Sequence, residues 1–201
     1  ALPILFISTS PLFMRDIPVK NTFARSQRIM HWLVLLMIVI AYAAMELKGF
    51  TTKGSAPRAL LVLTHYTAGV SVLVFMVVRV GLKLTHHDPD IIPQPPRWQI
   101  ISAKAVHGLL YLMFLSLPLL GVLSLYVGQV EWSFLGLQMP VAAAKDPELQ
   151  HTLKSVHELI ANAGYFLVGL HAAAALFHHY IVRDNTLERM LPSMHPRDNR
   201  K

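Results

Sequence analysis

Four stretches of the chain, residues 29–47, 59–82, 105–127 and 156–182, run almost unbroken in Leu, Val, Ile, Ala, Met and Phe. Between them stand segments rich in Gly, Pro, Ser, Asp and Lys. A helix of about 20 apolar residues crosses the roughly 30 Å of bilayer hydrocarbon, and each stretch is long enough to do so. Helices of a soluble bundle would turn a polar face outward, and these stretches show almost none. The pattern predicts an all-α fold, an integral membrane four-helix bundle, with one domain over residues 26–192. Residues 193–201 read as a basic cytoplasmic tail. Residues 1–25 fit no span: LPILFI is apolar but short, and Pro11, Arg15 and Asp16 follow closely. This is neither a span nor a signal peptide. It reads as an N-terminal extension, cytoplasmic or added for expression, with Met14 as a candidate natural start.

The links refine the arrangement. KGFTTKGSAPR is short and full of turn formers, which makes the first two helices antiparallel neighbours. DPDIIPQPPRW is Pro-rich and reads as extended. The longest link covers residues 128–155; its VEWSFLGLQMPV is too short to span and is expected to lie along the outer surface as a partial lid. In DPELQHTLKS, Asp146 reads as an N-cap with Pro147 at the first helical position.

Composition narrows the chemistry. Only 14% of residues are charged against 54% apolar, with a mean hydropathy of +0.46, whereas soluble domains carry about a quarter charged residues. There is no cysteine, which excludes disulfides, zinc–thiolate sites, cysteine-held iron–sulfur clusters and covalent haem attachment. Any haem is therefore of b type, held by axial side chains and packing. The net charge of +7 flanks the spans instead of forming one patch, so it reports topology and not nucleic-acid binding. Thirteen of the 18 Lys and Arg residues fall on the side of the termini and the second link; Lys48, Lys53, Arg58, Lys145 and Lys154 make up the other side. The positive-inside rule then places both termini in the cytoplasm. Trp32, Trp98 and Trp132 lie near the predicted interfaces, as aromatic belts do.

Histidines carry the candidate site. His157 and His171 share the fourth stretch, 14 residues apart, which on a helix is about 21 Å of rise with only about 40° of drift around the axis. Their imidazoles point off nearly one face at two depths of the bilayer. His65, at the outer start of the second helix, matches the depth of His157. His31, at the cytoplasmic start of the first, matches His171. Each pair comes from two helices, as bis-histidine ligation of an iron porphyrin requires, so the four together imply two haem b groups. The bland alternative is four separate polar residues bonded to neighbouring helices. Zinc fits less well, because no carboxylate or thiolate accompanies either pair. A proton relay in a haem-free transporter is a third reading.

Other residues on these stripes have two readings each. Gly164, seven residues from both His157 and His171, either makes room for macrocycles above and below or serves ordinary small-residue packing. Arg79, 14 residues beyond His65, either pairs with a haem propionate or snorkels to the interface. His178 and His107, near the cytoplasmic surface and too shallow for the inner iron, either donate to a propionate or quinone carbonyl or are simply interfacial. Glu46 either accepts protons or marks a helix end.

Across residues 25–192 the chain resembles the bacterial cytochrome b561 family, through RIMHWL, LTHYTAGV, KSVHELIANAGYFLVGLHAAAALFHHY and DNTLERMLP. The resemblance implies a four-helix protein of the bacterial inner membrane with two b haems, related to cytochrome b subunits of hydrogenases and formate dehydrogenases. It implies the ligand pairs His31 with His171 and His65 with His157, in agreement with depth. The short stand-alone branch is similar to superoxide oxidase, which implies superoxide as electron donor and ubiquinone as acceptor. On that reading the outer Lys48, Lys53 and Arg58, with Lys145 and Lys154, steer an anion; the bland reading is a solvated basic loop. A quinone site would lie near His107, Arg79 and His178. The alternative function is a di-haem conduit or membrane anchor for a partner dehydrogenase or hydrogenase; the superoxide reading requires no protein partner.

Overall fold

A computed structural model describes residues 22–191. Four helices dominate it: α1 (Arg25–Lys48), α2 (Ala56–Thr85), α3 (Arg97–Val127) and α4 (Pro147–Phe177), the last running into a π-helical turn over His178–Val182. All four are long and apolar enough to cross a membrane, as the apolar stretches predict. The tail over 193–201 and residues 1–21 of the expected extension lie outside the described residues.

Helices α3 and α4 begin well before their apolar stretches. RWQIISAK and PELQHTLKS are helical yet polar, because a helix leaving the hydrocarbon can carry charge into water. The starts are chemically marked. Ser55 Oγ accepts from the Arg58 N–H (3.4 Å) at α2, and the Asp146 carboxylate accepts from the Leu149 N–H (2.9 Å) at α4, where Pro147 follows as predicted. At α1, Gln27 Oε1 reaches back to the Ala24 N–H (3.1 Å).

We call the end carrying the α1–α2 and α3–α4 links the upper end. There VEWSFLGLQMPV folds as a small hairpin, β1 (Ser133–Phe134) antiparallel to β2 (Leu137–Gln138). Its turn residues Leu135 and Gly136 sit at φ 49° and 87°, the doubly positive pair that two-residue hairpins favour. Trp132 is buried and meets the Tyr66 ring at 5.7 Å, which draws this link over the end of α2.

Helices pack in sequence: α1 on α2, α2 on α3, α3 on α4. Val34, Ile38, Val72, Met76, Met113, Phe114 and Leu117 form the shared core. Leu60, Leu112, Leu159 and Phe166 face outward, which suits lipid. Helices α1 and α4 do not approach within 8 Å between Cα atoms. Side chains bridge that gap instead: Tyr42 donates to the Ala161 carbonyl (2.8 Å), Tyr165 donates to Glu46 Oε1 (2.6 Å), and the two tyrosine rings meet edge to face at 4.6 Å. A wide α1–α4 seam leaves room for long side chains to face each other across the bundle.

At the lower end, residues 184–191 form a clasp. Arg28 Nη1 donates to the Leu191 carbonyl (2.6 Å) and Trp32 Nε1 to that of Met190 (3.1 Å), which ties the clasp to α1. Asn185 exchanges bonds with Ile92, accepting at Oδ1 (2.9 Å) and donating from its own N–H (3.2 Å), while Arg189 donates to the Pro89 carbonyl. One short segment thus joins α1, the α2–α3 link and α4.

Candidate functional site

The upper pair is built from α2 and α4. His65 and His157 face each other with ring centroids 6.1 Å apart and planes at 78°. Each Nδ1 lies 2.9 Å from a main-chain carbonyl, Ala41 for His65 and Leu117 for His157. A carbonyl only accepts, so each Nδ1 carries the proton and each Nε2 lone pair is left free, the form that binds a metal. Gly121 on α3 makes space for this: a Cβ there would stand 3.4 Å from His157 Cε1. A cavity of about 540 Å³ opens beside the pair, lined by Tyr42, Tyr66, Gly121, Trp132, Lys48 and Lys154 among others. That volume lies within the range of cofactor and ligand sites.

The lower pair joins α1 and α4. His31 and His171 stand with centroids 6.3 Å apart and planes at 71°. His31 Nδ1 is buried and has no hydrogen-bond partner among the described residues. His107, from α3, closes on His171 at 5.2 Å. His107, expected near the cytoplasmic surface, thus stands beside the lower pair. Arg79 does not snorkel outward. Its guanidinium lies over the Tyr111 ring at 5.7 Å, close enough for its charge to reach His31, His107 and His171.

The remaining predicted residues fall into place unevenly. Lys48 lines the upper cavity; Lys53 is exposed in the first link. Arg58 donates to the carbonyls of Lys48 (2.9 Å) and Thr51 (3.3 Å), so it ties the link together whatever its charge does. Lys154 also lines the cavity and pairs with Glu158 at 3.7 Å. At Gly164 a Cβ would come within 2.4 Å of Tyr42 Oη and 3.3 Å of Met113 Sδ. The notch holds those two side chains. His178 lies at the lower end against Asp184, with Nδ1 2.5 Å from Oδ2.

A family model described as prokaryotic cytochrome b561 matches residues 22–193. The chain belongs to that family. It is 46% identical over 172 residues to cytochrome b561 homolog 1 of Escherichia coli (strain K12), covering 86% of this chain and 98% of the relative. Over 162 residues it is 41% identical to the probable superoxide oxidase CybB of Yersinia pestis, covering 81% and 91%. Cytochrome b562 of Cereibacter sphaeroides is 29% identical over 173 residues, 84% and 94% of the two chains.

A b561 cytochrome is a membrane b-type haem protein, and the two histidine pairs fit that group. Two metal–nitrogen bonds of about 2 Å laid end to end, with the ring half-width on either side, separate imidazole centroids by roughly 6.3 Å. Both pairs stand at that separation. Among the described residues no group of three or more His, Cys, Asp or Glu could hold a metal, so each pair offers two donors, the number that a porphyrin with four nitrogens of its own leaves to the protein.

Several residues escaped sequence reasoning. Tyr66 and Trp132 frame the cavity, yet a tyrosine beside a histidine and a lone tryptophan carry no spacing signal. Tyr42 is one aromatic among apolar neighbours. Asp184 opens DNTLERMLP, a stretch visible in the family resemblance but mute about contacts.

Proposed function

We propose that this b561 cytochrome oxidises superoxide at its upper end and reduces ubiquinone at its lower end. On this reading it lies in the bacterial inner membrane with both termini and the clasp in the cytoplasm. His65 with His157 and His31 with His171 would hold two haem b groups. Haem bound there would supply a one-electron couple at each depth. The observation that carries the reading is the pair of imidazole separations, 6.1 and 6.3 Å, at two levels of one bundle.

Each superoxide gives up one electron and leaves as dioxygen, so the upper end needs no proton donor. Two superoxide ions, one ubiquinone and two protons give two dioxygen molecules and one ubiquinol. What the upper end must do is attract an anion, for which Lys48 and Lys154 at the cavity wall, beside Glu46 and Glu158, and Lys53 and Arg58 of the first link are the available cations. The lower end must supply protons and hold the quinone, for which His107, Arg79 and His178 are the available groups. The Yersinia pestis relative's name, probable superoxide oxidase, supports the same reading.

Rapid mixing of the oxidised holoprotein with superoxide tests it. Haem reduction is expected to outrun spontaneous dismutation by a wide margin. Reduction slower than dismutation would assign the protein instead to the conduit role, passing electrons between a partner dehydrogenase and quinone.

A further inference from the structure

Asp184 takes no part in the function proposed above, yet its side chain is wholly enclosed. A straight helix would not bring it to His178. Six residues along an α-helix carry a side chain about 9 Å onward and well round the axis. Here His178–Val182 wind as a π-turn and Arg183 takes the left-handed conformation at φ 61°. The chain doubles back, the Asp184 N–H donates to the His178 carbonyl (3.2 Å), and the carboxylate returns onto the His178 ring. Its other oxygen accepts from the Thr186 N–H (2.8 Å). π-turns gather at functional sites, and a non-glycine residue at positive φ persists only where surrounding contacts offset its strain.

Burial works against the Asp184 charge, but the hydrogen bonds from His178 and Thr186 outweigh it and hold the carboxyl below the usual carboxylate range. The side chain is therefore an acceptor at both oxygens. His178 differs in one respect that matters: its side chain is 19% exposed. One edge of the ring is fixed against buried carboxylate, and the other can meet water or a ligand.

We propose that Asp184 is a positioning residue for quinone protonation, holding His178 so that Nδ1–H stays on the carboxylate and Nε2 faces the ubiquinone carbonyl. The proposal rests on the ubiquinone reading above. Protonated His178 donates from both nitrogens, Nδ1 to Asp184 and Nε2 to the quinone oxygen. As ubiquinone takes its two electrons from the cytochrome, the Nε2–H bond breaks and an O–H bond forms at the carbonyl that His178 faces. The far oxygen takes its proton from cytoplasmic water. Neutral His178 keeps Nδ1–H on Asp184, so the Nε2 lone pair still points outward and is reprotonated from the cytoplasm. Without that anchor the ring has two tautomers and two orientations, of which one is productive.

The test uses reduced holoprotein mixed rapidly with a short-chain ubiquinone, in wild type, Asp184→Asn and Asp184→Glu. A carboxamide can donate to Nδ1 and so favours the wrong tautomer. Asp184→Asn is expected to slow reoxidation at saturating quinone by about 10- to 100-fold with KM little changed. Asp184→Glu should restore most of the rate, and reduction by superoxide should be unaffected in both. Wild-type reoxidation in Asp184→Asn with haem content intact overturns the positioning role. Wild-type protein that quinone does not reoxidise overturns the ubiquinone reading itself. Nitrogen-15 histidine NMR of the reduced wild type is the second readout: Nδ1 of His178 should be protonated, and a bare Nδ1 there overturns the proposal whether or not the variants fold.

Discussion

The two histidine pairs have almost the same geometry and opposite surroundings. At the upper pair both Nδ1 atoms end on main-chain carbonyls, Ala41 and Leu117, and the charges at the cavity wall are Lys48 and Lys154 beside Glu46 and Glu158. At the lower pair His31 Nδ1 has no partner among the described residues, and the neighbours are side chains that carry protons or charge: His107 on His171, Arg79 over Tyr111, and the His178–Asp184 couple below. Main-chain carbonyls do not titrate and move only with their helices. An end built on them suits electron exchange with an anion that leaves unprotonated. An end built on side chains suits an acceptor that must gain protons with its electrons. The contrast matches the two halves of the proposed reaction, and substitutions can break it from either side.

The largest effect is expected from the ligands themselves. His65→Ala or His157→Ala should remove the upper haem alone, and His31→Ala or His171→Ala the lower alone. A pyridine haemochrome assay should fall from two haems per chain to one in every case, and reduced-minus-oxidised spectra of the native protein should keep a different α-band component in each set. Loss of both haems from any single substitution would show that the tiers are not independent.

Charge reversal comes next. Lys48→Glu with Lys154→Glu should slow reduction by superoxide about tenfold at low salt, the gap closing as ionic strength rises. Quinone-dependent reoxidation should not change. Arg58 is the poorer target, because its guanidinium holds the Lys48 and Thr51 carbonyls and its loss would loosen the link as well. A salt-independent deficit in the lysine variant would remove steering from the account.

A subtler probe reaches the upper pair without touching it. Gly121→Leu adds atoms where a Cβ alone already stands 3.4 Å from His157 Cε1. The ring must turn or withdraw from the Leu117 carbonyl, and the upper haem should show a shifted potential or partial loss while the lower keeps its spectrum. An unchanged potential would mean that the Leu117 bond does not set the ring's position.

How much of this was legible beforehand depends on what kind of signal each residue leaves. The spans, their order and the depth-matched histidines follow from apolar length and helical rise, which are periodic and local. The early start of α3 does not, since polar helical turns outside the hydrocarbon look like loop, whereas that of α4 is announced by Asp146 and Pro147. His107 is a case of packing: its position in the apolar stretch says nothing of its 5.2 Å approach to His171, which depends on how α3 lies against α4. Asp184 is a different case. Its approach to His178 needs a left-handed residue at Arg183, and that position carries neither the Gly nor the Asn that would announce a reversal. Arg58 reads as a free charge in sequence because nothing there reveals which carbonyls a loop will present.

The smallest effect concerns Gly164, for which two readings were open. The structure fills the notch with Tyr42 Oη and the Met113 thioether, which favours close packing between α1, α3 and α4 over reserved space. Gly164→Ala would place a methyl group 2.4 Å from that hydroxyl and should destabilise the holoprotein by about 1–3 kcal/mol, the usual range for overpacking. Tyr42→Phe alone loses the bond to the Ala161 carbonyl, worth about 1 kcal/mol. In the double variant the hydroxyl that clashes is gone, so the combined loss should fall short of the sum, as it does for residues in direct contact. Thermal unfolding followed at the Soret band measures all three. Strict additivity would mean that Tyr42 does not occupy the notch, and haem loss in Gly164→Ala with Tyr42→Phe unaffected would return the position to the macrocycles.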